Sequence, residues 1–410
     1  MALTHPNALT VLRNRNFRLY VLATALFALG LEIVTVSLGW HVYATTKSAL
    51  NLGLIGLVQF LPSAALAIIA GTAADRYPRH RIMAACVAVD LVLMLALFTV
   101  LEATEAGFSL ILALVALLAA TRAFYWPAAA ALAPTLVPRE QFSAASACSS
   151  ATWQLTVIVG PVLGGLLYGI SLYAAQAVAM SMAVAALLLA FLIEARRPER
   201  SGERQSIASL VGGFRHVFNN RLILGAVSLD LFVVFLGGAM ALMPIFAQDI
   251  LVLDPWGLGL LRSGIGIGAI CMAIVLGIWP IRRHAGPLLF AAIGGFGAAT
   301  LLFGLSTTPW LSILALMFMG AADMVSVVIR DVLTQVWTPD YLRGRVNAAV
   351  MIFINASNEL GDFRAGSMAS LIGPVPTVLF GGVGIFVTLL IYIAAFPTLR
   401  KADDLHKGLD

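Results

Sequence analysis

The chain has 410 residues, of which 60% are hydrophobic and only 11% charged, and its formal net charge is +5. A soluble domain carries roughly 25% charged residues, so this composition excludes an ordinary soluble enzyme. The basic excess lies at the ends of apolar runs rather than in one patch, which excludes nucleic acid as a partner and points to a lipid bilayer.

Apolar runs of ~20 residues or more predict an all-α membrane protein with twelve transmembrane helices. They fall near 17–44, 48–74, 81–101, 107–131, 143–170, 172–194, 221–250, 256–281, 287–306, 309–336, 342–373 and 376–397. Arg13, Arg15 and Arg18 precede a first run too long for the apolar part of a cleavable signal, so it is expected to stay as a span. The connections between runs alternate in charge. Arg76, Arg79, Arg139, Arg282 and Arg283 fall in even gaps, Arg81, Arg343 and Arg345 at the adjoining ends of the runs that follow even gaps, and Arg400, Lys401 and Lys407 beyond the last run. On the other side lie only Lys47, in an odd gap, and Arg262, near the start of the run 256–281. Because positive residues stay inside, both termini are expected in the cytoplasm and the chain in the inner (cytoplasmic) membrane as a multi-pass protein.

One connection is long and polar: 195–220, with Arg196, Arg197, Arg200, Arg204 and Arg215. It divides the chain into a six-helix bundle at 1–194, a cytoplasmic linker at 195–220, a second six-helix bundle at 221–397 and a tail at 398–410. Ile207, Leu210, Val211 and Phe214 share a side within the linker. They fit either a surface-lying amphipathic helix or a plain connection. Trp40, Trp256, Trp279, Trp310 and Trp337 sit near predicted helix ends, where amphipathic rings anchor at the interface.

Between the second and third runs stands Gly71-Thr-Ala-Ala-Asp75-Arg76-Tyr-Pro-Arg79-His-Arg81. A glycine permits close helix approach, and Asp75 is placed to pair with an arginine across the bundle. This loop resembles the signature of the major facilitator superfamily, with Pro78 standing where that family often has glycine. The resemblance implies two six-helix bundles around a central cavity, with Gly71, Asp75, Arg76, Arg79 and Arg81 as a cytoplasmic latch. The same place in the second half reads Gly277-Ile-Trp-Pro-Ile281-Arg282-Arg283, a degenerate copy without the aspartate. The fifth run carries Gly160-Pro161-Val-Leu-Gly164-Gly165. It resembles the motif of antiporters in the superfamily, and it is also a small-xxx-small packing pair beside a bending proline. The stretches LRNRNFRLY, RAFYWPAAAALAPTLVP, TPDYLRGRVNAA and SNELGDFRAG resemble the branch holding enterobactin-type siderophore exporters and macrolide efflux proteins.

Ten ionisable residues fall within the predicted runs: Glu32, Asp90, Arg122, Asp230, Asp323, Arg330, Asp331, Glu359, Asp362 and Arg364. Each costs ~2.5–3.5 kcal/mol at the centre of a lipid-exposed helix, so most must line a cavity, pair, or lie near an interface. Glu32, Asp230 and Asp90 are proton-coupling candidates, or else structural carboxyls held by hydrogen bonds or an arginine. Arg122, Tyr125 and Trp126 in the fourth run, with Trp153 and Gln154 in the fifth, fit a stacking site for an aromatic or anionic substrate. Packing aromatics around an arginine that neutralises a buried acid fit the same spacing. In the eleventh run Asn355, Glu359 and Asp362 form one polar stripe, beside Asn358, which should point into the protein. Asp323 and Arg330 share a face of the tenth, and Arg330 or Arg364 is expected to pair with the stripe.

Other chemistry lacks support. Gly264-Ile-Gly266-Ile-Gly268 follows no strand and reads as helix packing rather than a nucleotide loop. There is no phosphate-binding G-x-x-x-x-G-K-[ST] run. Six scattered histidines form no metal-ligand pair, and Cys86, Cys148 and Cys271 all lie in apolar stretches, so no metal, cofactor or disulfide is expected. The expected function is secondary active transport by a monomer: proton-coupled export of a siderophore or lipophilic drug by alternating access. Proton-coupled import of a siderophore or small metabolite is the alternative within transport. A membrane enzyme or receptor is the alternative outside it, without a convergent catalytic set to support it.

Overall fold

The computed structural model describes residues 8–102, 107–194, 207–281, 283–339 and 342–400. Arg196, Arg197, Arg200, Arg204, Arg282, Lys401 and Lys407, which entered the charge argument, lie outside them. Twelve long helices follow in chain order: α1 (Arg15–Thr46), α2 (Ala49–Arg76), α3 (Arg79–Glu102), α4 (Phe108–Leu132), α5 (Phe142–Ile170), α6 (Leu172–Phe191), α7 (Arg221–Gly237), α8 (Pro255–Ile278), α9 (Ala285–Leu305), α10 (Pro309–Val336), α11 (Arg343–Ile372) and α12 (Pro374–Ala395). A shorter linker helix, Ile207–Asn219, precedes α7.

Among the described residues, ten helices are long and apolar enough to cross a membrane, or eleven if the linker helix and α7 count as one bent span. That number falls short of the twelve expected, for two physical reasons. α7 stops at Gly237 after 17 residues, and α11 carries Asn355, Asn358, Glu359, Asp362 and Arg364 along its length.

Local signals set the helix ends. Pro255, Pro309 and Pro374 open α8, α10 and α12, where a missing N–H costs nothing. The Asn220 side chain accepts from the amides of Leu222 and Ile223 at the start of α7, and Ser171 accepts from Ala174 at the start of α6; both are N-caps. Gly373, at φ 90°, makes the turn from α11 to α12.

By contact the chain forms two compact units: Met1–His41 with Leu61–Gln205, and Val42–Phe60 with Ser206–Asp410. In the first, α3 packs on α4 and α6, and α5 on α6. In the second, α10 packs on α8 and α9, α12 on α9, and α11 and α12 on α7. The second unit's core gathers Leu229, Val233, Leu289, Ile293, Ile329, Leu333 and Ile385 from α7, α9, α10 and α12.

The glycine run in α8 is a packing seam, as its sequence implied. A Cβ on Gly268 would stand 1.8 Å from the Met317 carbonyl oxygen, and one on Gly320 would stand 1.9 Å from that of Ile265. The two backbones cross at these glycines, and neither obstacle is a side chain that can swing aside. Gly268→Ala should therefore force α8 and α10 apart and cost ~1–3 kcal/mol or more. A thermal unfolding midpoint equal to wild type would show that the crossing is looser than drawn.

Candidate functional site

In the first unit, the α1–α5 seam places Glu32 against the glycine-proline motif. A Cβ on Gly160 would stand 2.5 Å from Glu32 Cβ, and one on Gly164 would stand 3.1 Å from Ile33 Cα. Gly160, Pro161, Gly164 and Gly165 are all buried, while Glu32 is half-buried. The two features that the sequence offered separately, an acid in α1 and a motif in α5, are thus one contact.

Asp90 is fully buried in α3. Its Oδ1 accepts from the Thr121 hydroxyl of α4, and its Oδ2 has no hydrogen-bond partner. The neighbouring Arg122 is close enough for the two charges to act on each other. This arrangement favours the structural reading for Asp90, with Arg122 as its electrostatic complement.

The aromatics divide. Tyr125 is buried against Phe27, ring centroids 4.3 Å apart. Trp126 meets Tyr125 edge-on at 5.1 Å and Trp153 edge-on at 5.0 Å. Trp153, 47% exposed, ends this ladder with a ring that can receive a ligand, and Gln154 is half-buried beside it.

At the 71–81 loop, Arg79 donates through Nη1 to the Ala131 carbonyl (2.7 Å) and through Nε to that of Ala74 (3.3 Å). A guanidinium on the last carbonyls of α4 is favourable, and it ties the ends of α2 and α4 together. Gly71 and Asp75 are half-buried, and Arg76 and Arg81 exposed. Asp75 forms no hydrogen bond or ion pair among the described residues, so the expected Asp75–Arg latch is not among the contacts seen.

The second unit holds most of the charge. Arg330 of α10 is buried and pairs through Nη1 with Asp230 of α7, and through Nη2 with Asp331 at 3.3 Å. This corrects the expected pairing of Arg330 with the α11 stripe. Asp323, half-buried two turns earlier on α10, lies within the field of Asp230 and Arg330.

Arg364, the other arginine expected to pair with the stripe, lies within the field of Asp362 and also binds backbone. Its Nε donates to the Phe235 carbonyl (3.0 Å) and its Nη2 to that of Leu236 (2.8 Å), the last carbonyls of α7. Asp362 Oδ1 accepts from the Ala241 amide at 3.3 Å, just beyond the break. The seventh run, expected as one helix over 221–250, is thus interrupted after Gly237 and resumes at Met243–Ile245, followed by a π-helical turn at Phe246–Ile250. Two opposite charges from α11 hold the freed backbone. Asn355 and Asn358 are exposed, and Glu359 and Asp362 half-buried. The start of α2 also packs here: a Cβ on Gly53 would stand 3.0 Å from Gly366 Cα, and one on Gly56 would stand 3.1 Å from Asp362 Cβ.

Sequence reading missed three participants in the second unit. Arg262, counted on the outer side, lies within α8, and its charge acts on Asp362. Its depth in the apolar run was the available signal. Tyr43 donates its hydroxyl to Asp249, and Lys47 Nζ reaches Asp249 Oδ1 at 3.1 Å and Gln248 Oε1 at 3.2 Å; nothing in their spacing announced it.

The Major Facilitator Superfamily profile matches residues 20–361. The chain is 25% identical to proteins described as "Enterobactin exporter EntS" from Citrobacter koseri, covering 97% of this chain and 94% of that protein, and from Shigella boydii serotype 4, covering 94% and 92%. Its fold is similar to that of a bacterial homologue of the human lysosomal transporter Spinster, with TM-score 0.73 and 16% identity over 97% of this chain and 98% of that one. It is also similar to a D-xylose–proton symporter, with TM-score 0.72 and 14% identity over 96% and 99%.

Proposed function

This chain belongs to the Major Facilitator Superfamily, and from that premise we propose that it is a proton-coupled exporter of an aromatic siderophore or a lipophilic drug, working by alternating access in the inner membrane as a monomer. It is a small-molecule transporter and not an enzyme.

The observation that carries the proposal is the contact of Glu32 with Gly160. Coupling needs a carboxyl that is neutral in one conformational exchange and ionised in the other. It also needs that carboxyl to feel the helix movement. The position of Glu32 suits the second need: it is half-buried, and its Cβ and Cγ rest on a glycine with no side chain to cushion them. Any slide of α1 along α5 changes its surroundings directly. Asp230 and Asp90, the other two candidates, are held by Arg330 and by Thr121 respectively.

For the cargo, the Trp126–Trp153 ladder offers aromatic faces and Arg122 a nearby positive charge. A planar, electron-rich, anionic group such as a catecholate suits both, and the enterobactin exporters among the similar proteins support that class.

The test uses proteoliposomes with an imposed pH gradient and a catecholate siderophore as the probe. Wild type is expected to move the probe against the proton flow. Glu32→Gln is expected to reduce gradient-driven flux to the level of protein-free vesicles while binding of the probe persists. Gradient-driven flux that survives Glu32→Gln would remove Glu32 from the mechanism, and co-directional movement of probe and protons would replace export by import.

A further inference from the structure

The linker helix meets α7 at an angle of 103°. α7 runs along the first part of an apolar span, so a rod set nearly square to its inner end lies along the bilayer surface. The two sides of this rod differ. One side is committed to α11: a Cβ on Gly213 would stand 2.3 Å from the Arg345 carbonyl oxygen, Val217 is fully buried, and Phe214 meets Phe353 edge-on at 5.3 Å. Phe214 lies about 60° around the helix from Val211 at 100° per residue and so borders both sides; the side chains of Ile207 and Leu210 lie outside the described residues.

The other side presents Val211, Arg215 and Phe218, within about 60° of one another at 100° per residue. Val211 is 56% exposed and Phe218 57%, although one edge of Phe218 still touches Phe353 at 6.3 Å. Arg215 is exposed between them. No Asp or Glu occurs from 207 to 221, and the helix packs where Arg343 and Arg345 begin α11.

We propose that this face is a binding site for anionic phospholipid of the inner leaflet. Val211 and Phe218 enter the boundary between headgroups and acyl chains, and Arg215 holds the phosphate. Two large apolar side chains flanking one arginine, on a helix parallel to the surface, match that boundary in polarity from one end to the other. Because the opposite side of the helix grips α11, lipid bound here holds the start of α11 against the membrane surface.

The test uses the full chain with Val211→Cys, and with Cys148 and Cys271 replaced by Ala, carrying an environment-sensitive NBD label at position 211. The protein is placed in phosphatidylcholine vesicles with and without phosphatidylglycerol. The expected result is blue-shifted emission, protection from aqueous iodide, and quenching by lipids bearing a shallow nitroxide, all strengthened by phosphatidylglycerol. Arg215→Gln should remove the phosphatidylglycerol-dependent part alone. If the Val211→Cys chain folds poorly, Phe218→Cys reports the same face. Iodide quenching as free as that of the dye in solution would overturn the interfacial placement. A signal indifferent to phosphatidylglycerol would overturn the anionic site.

Discussion

Arg330→Gln should destabilise the protein by about 3–5 kcal/mol, the cost of leaving one partner of a buried ion pair without the other. Asp230 is buried, and Arg330 is the cation bonded to it. Removing the guanidinium strands a carboxylate in a core built of Leu229, Val233, Ile329 and Leu333. Asp230→Asn should do less damage, because Arg330 keeps its contact with Asp331 at 3.3 Å and stays within the field of Asp323. The double variant, Asp230→Asn with Arg330→Gln, should recover much of the loss of Arg330→Gln, since two neutral amides can hydrogen-bond where one orphaned charge cannot. Thermal unfolding of the purified protein by loss of the monodisperse peak on gel filtration measures the series. Equal midpoints for Arg330→Gln and Asp230→Asn would show that the pair does not hold α7 to α10.

These partners explain what the sequence could and could not convey. Hydropathy reports where a charge is too deep for lipid, so Asp230, Asp323, Arg330, Asp362 and Arg364 all stand out as residues needing company. It does not report the company, because the partner sits on another helix: Asp230 and Arg330 are 100 residues apart. The Gly160 motif was legible as a motif, but its contact with Glu32 depends on the rotation of α1, which an almost uniformly apolar helix leaves unmarked. The break in α7 was the least visible feature. Residues on both sides of it are apolar, so the run 221–250 reads as one span, and the orphaned groups belong to the backbone, to which hydropathy is blind. The visible trace was on α11, where Asp362 and Arg364 stood in an apolar setting without an evident reason. The Gly237–Gly238 pair was the local hint. A Cβ on Gly238 would stand 2.6 Å from the Gly361 carbonyl oxygen, so the break also needs that glycine to approach α11.

Arg364→Met should loosen that break. In an apolar setting a broken helix survives only where protein groups re-satisfy its backbone, and Arg364 supplies two donors to the carbonyls of Phe235 and Leu236. Each buried carbonyl left unpaired costs about 1–3 kcal/mol, so the substitution should cost about twice that. The Met side chain preserves volume, so the loss is one of hydrogen bonding rather than packing. Arg364→Lys should fall between, because an ammonium can reach one carbonyl but lacks the fork that spans both. Asp362→Asn should be mild, because a carboxamide oxygen can still accept from the Ala241 amide. Hydrogen exchange read by mass spectrometry on peptides covering 235–245 gives the local measurement, with faster exchange expected in Arg364→Met and rates near wild type in Asp362→Asn. If Arg364→Met exchanged there no faster than wild type and melted with it, the break would be held by its glycines and by helix packing, and the charge on α11 would need another purpose.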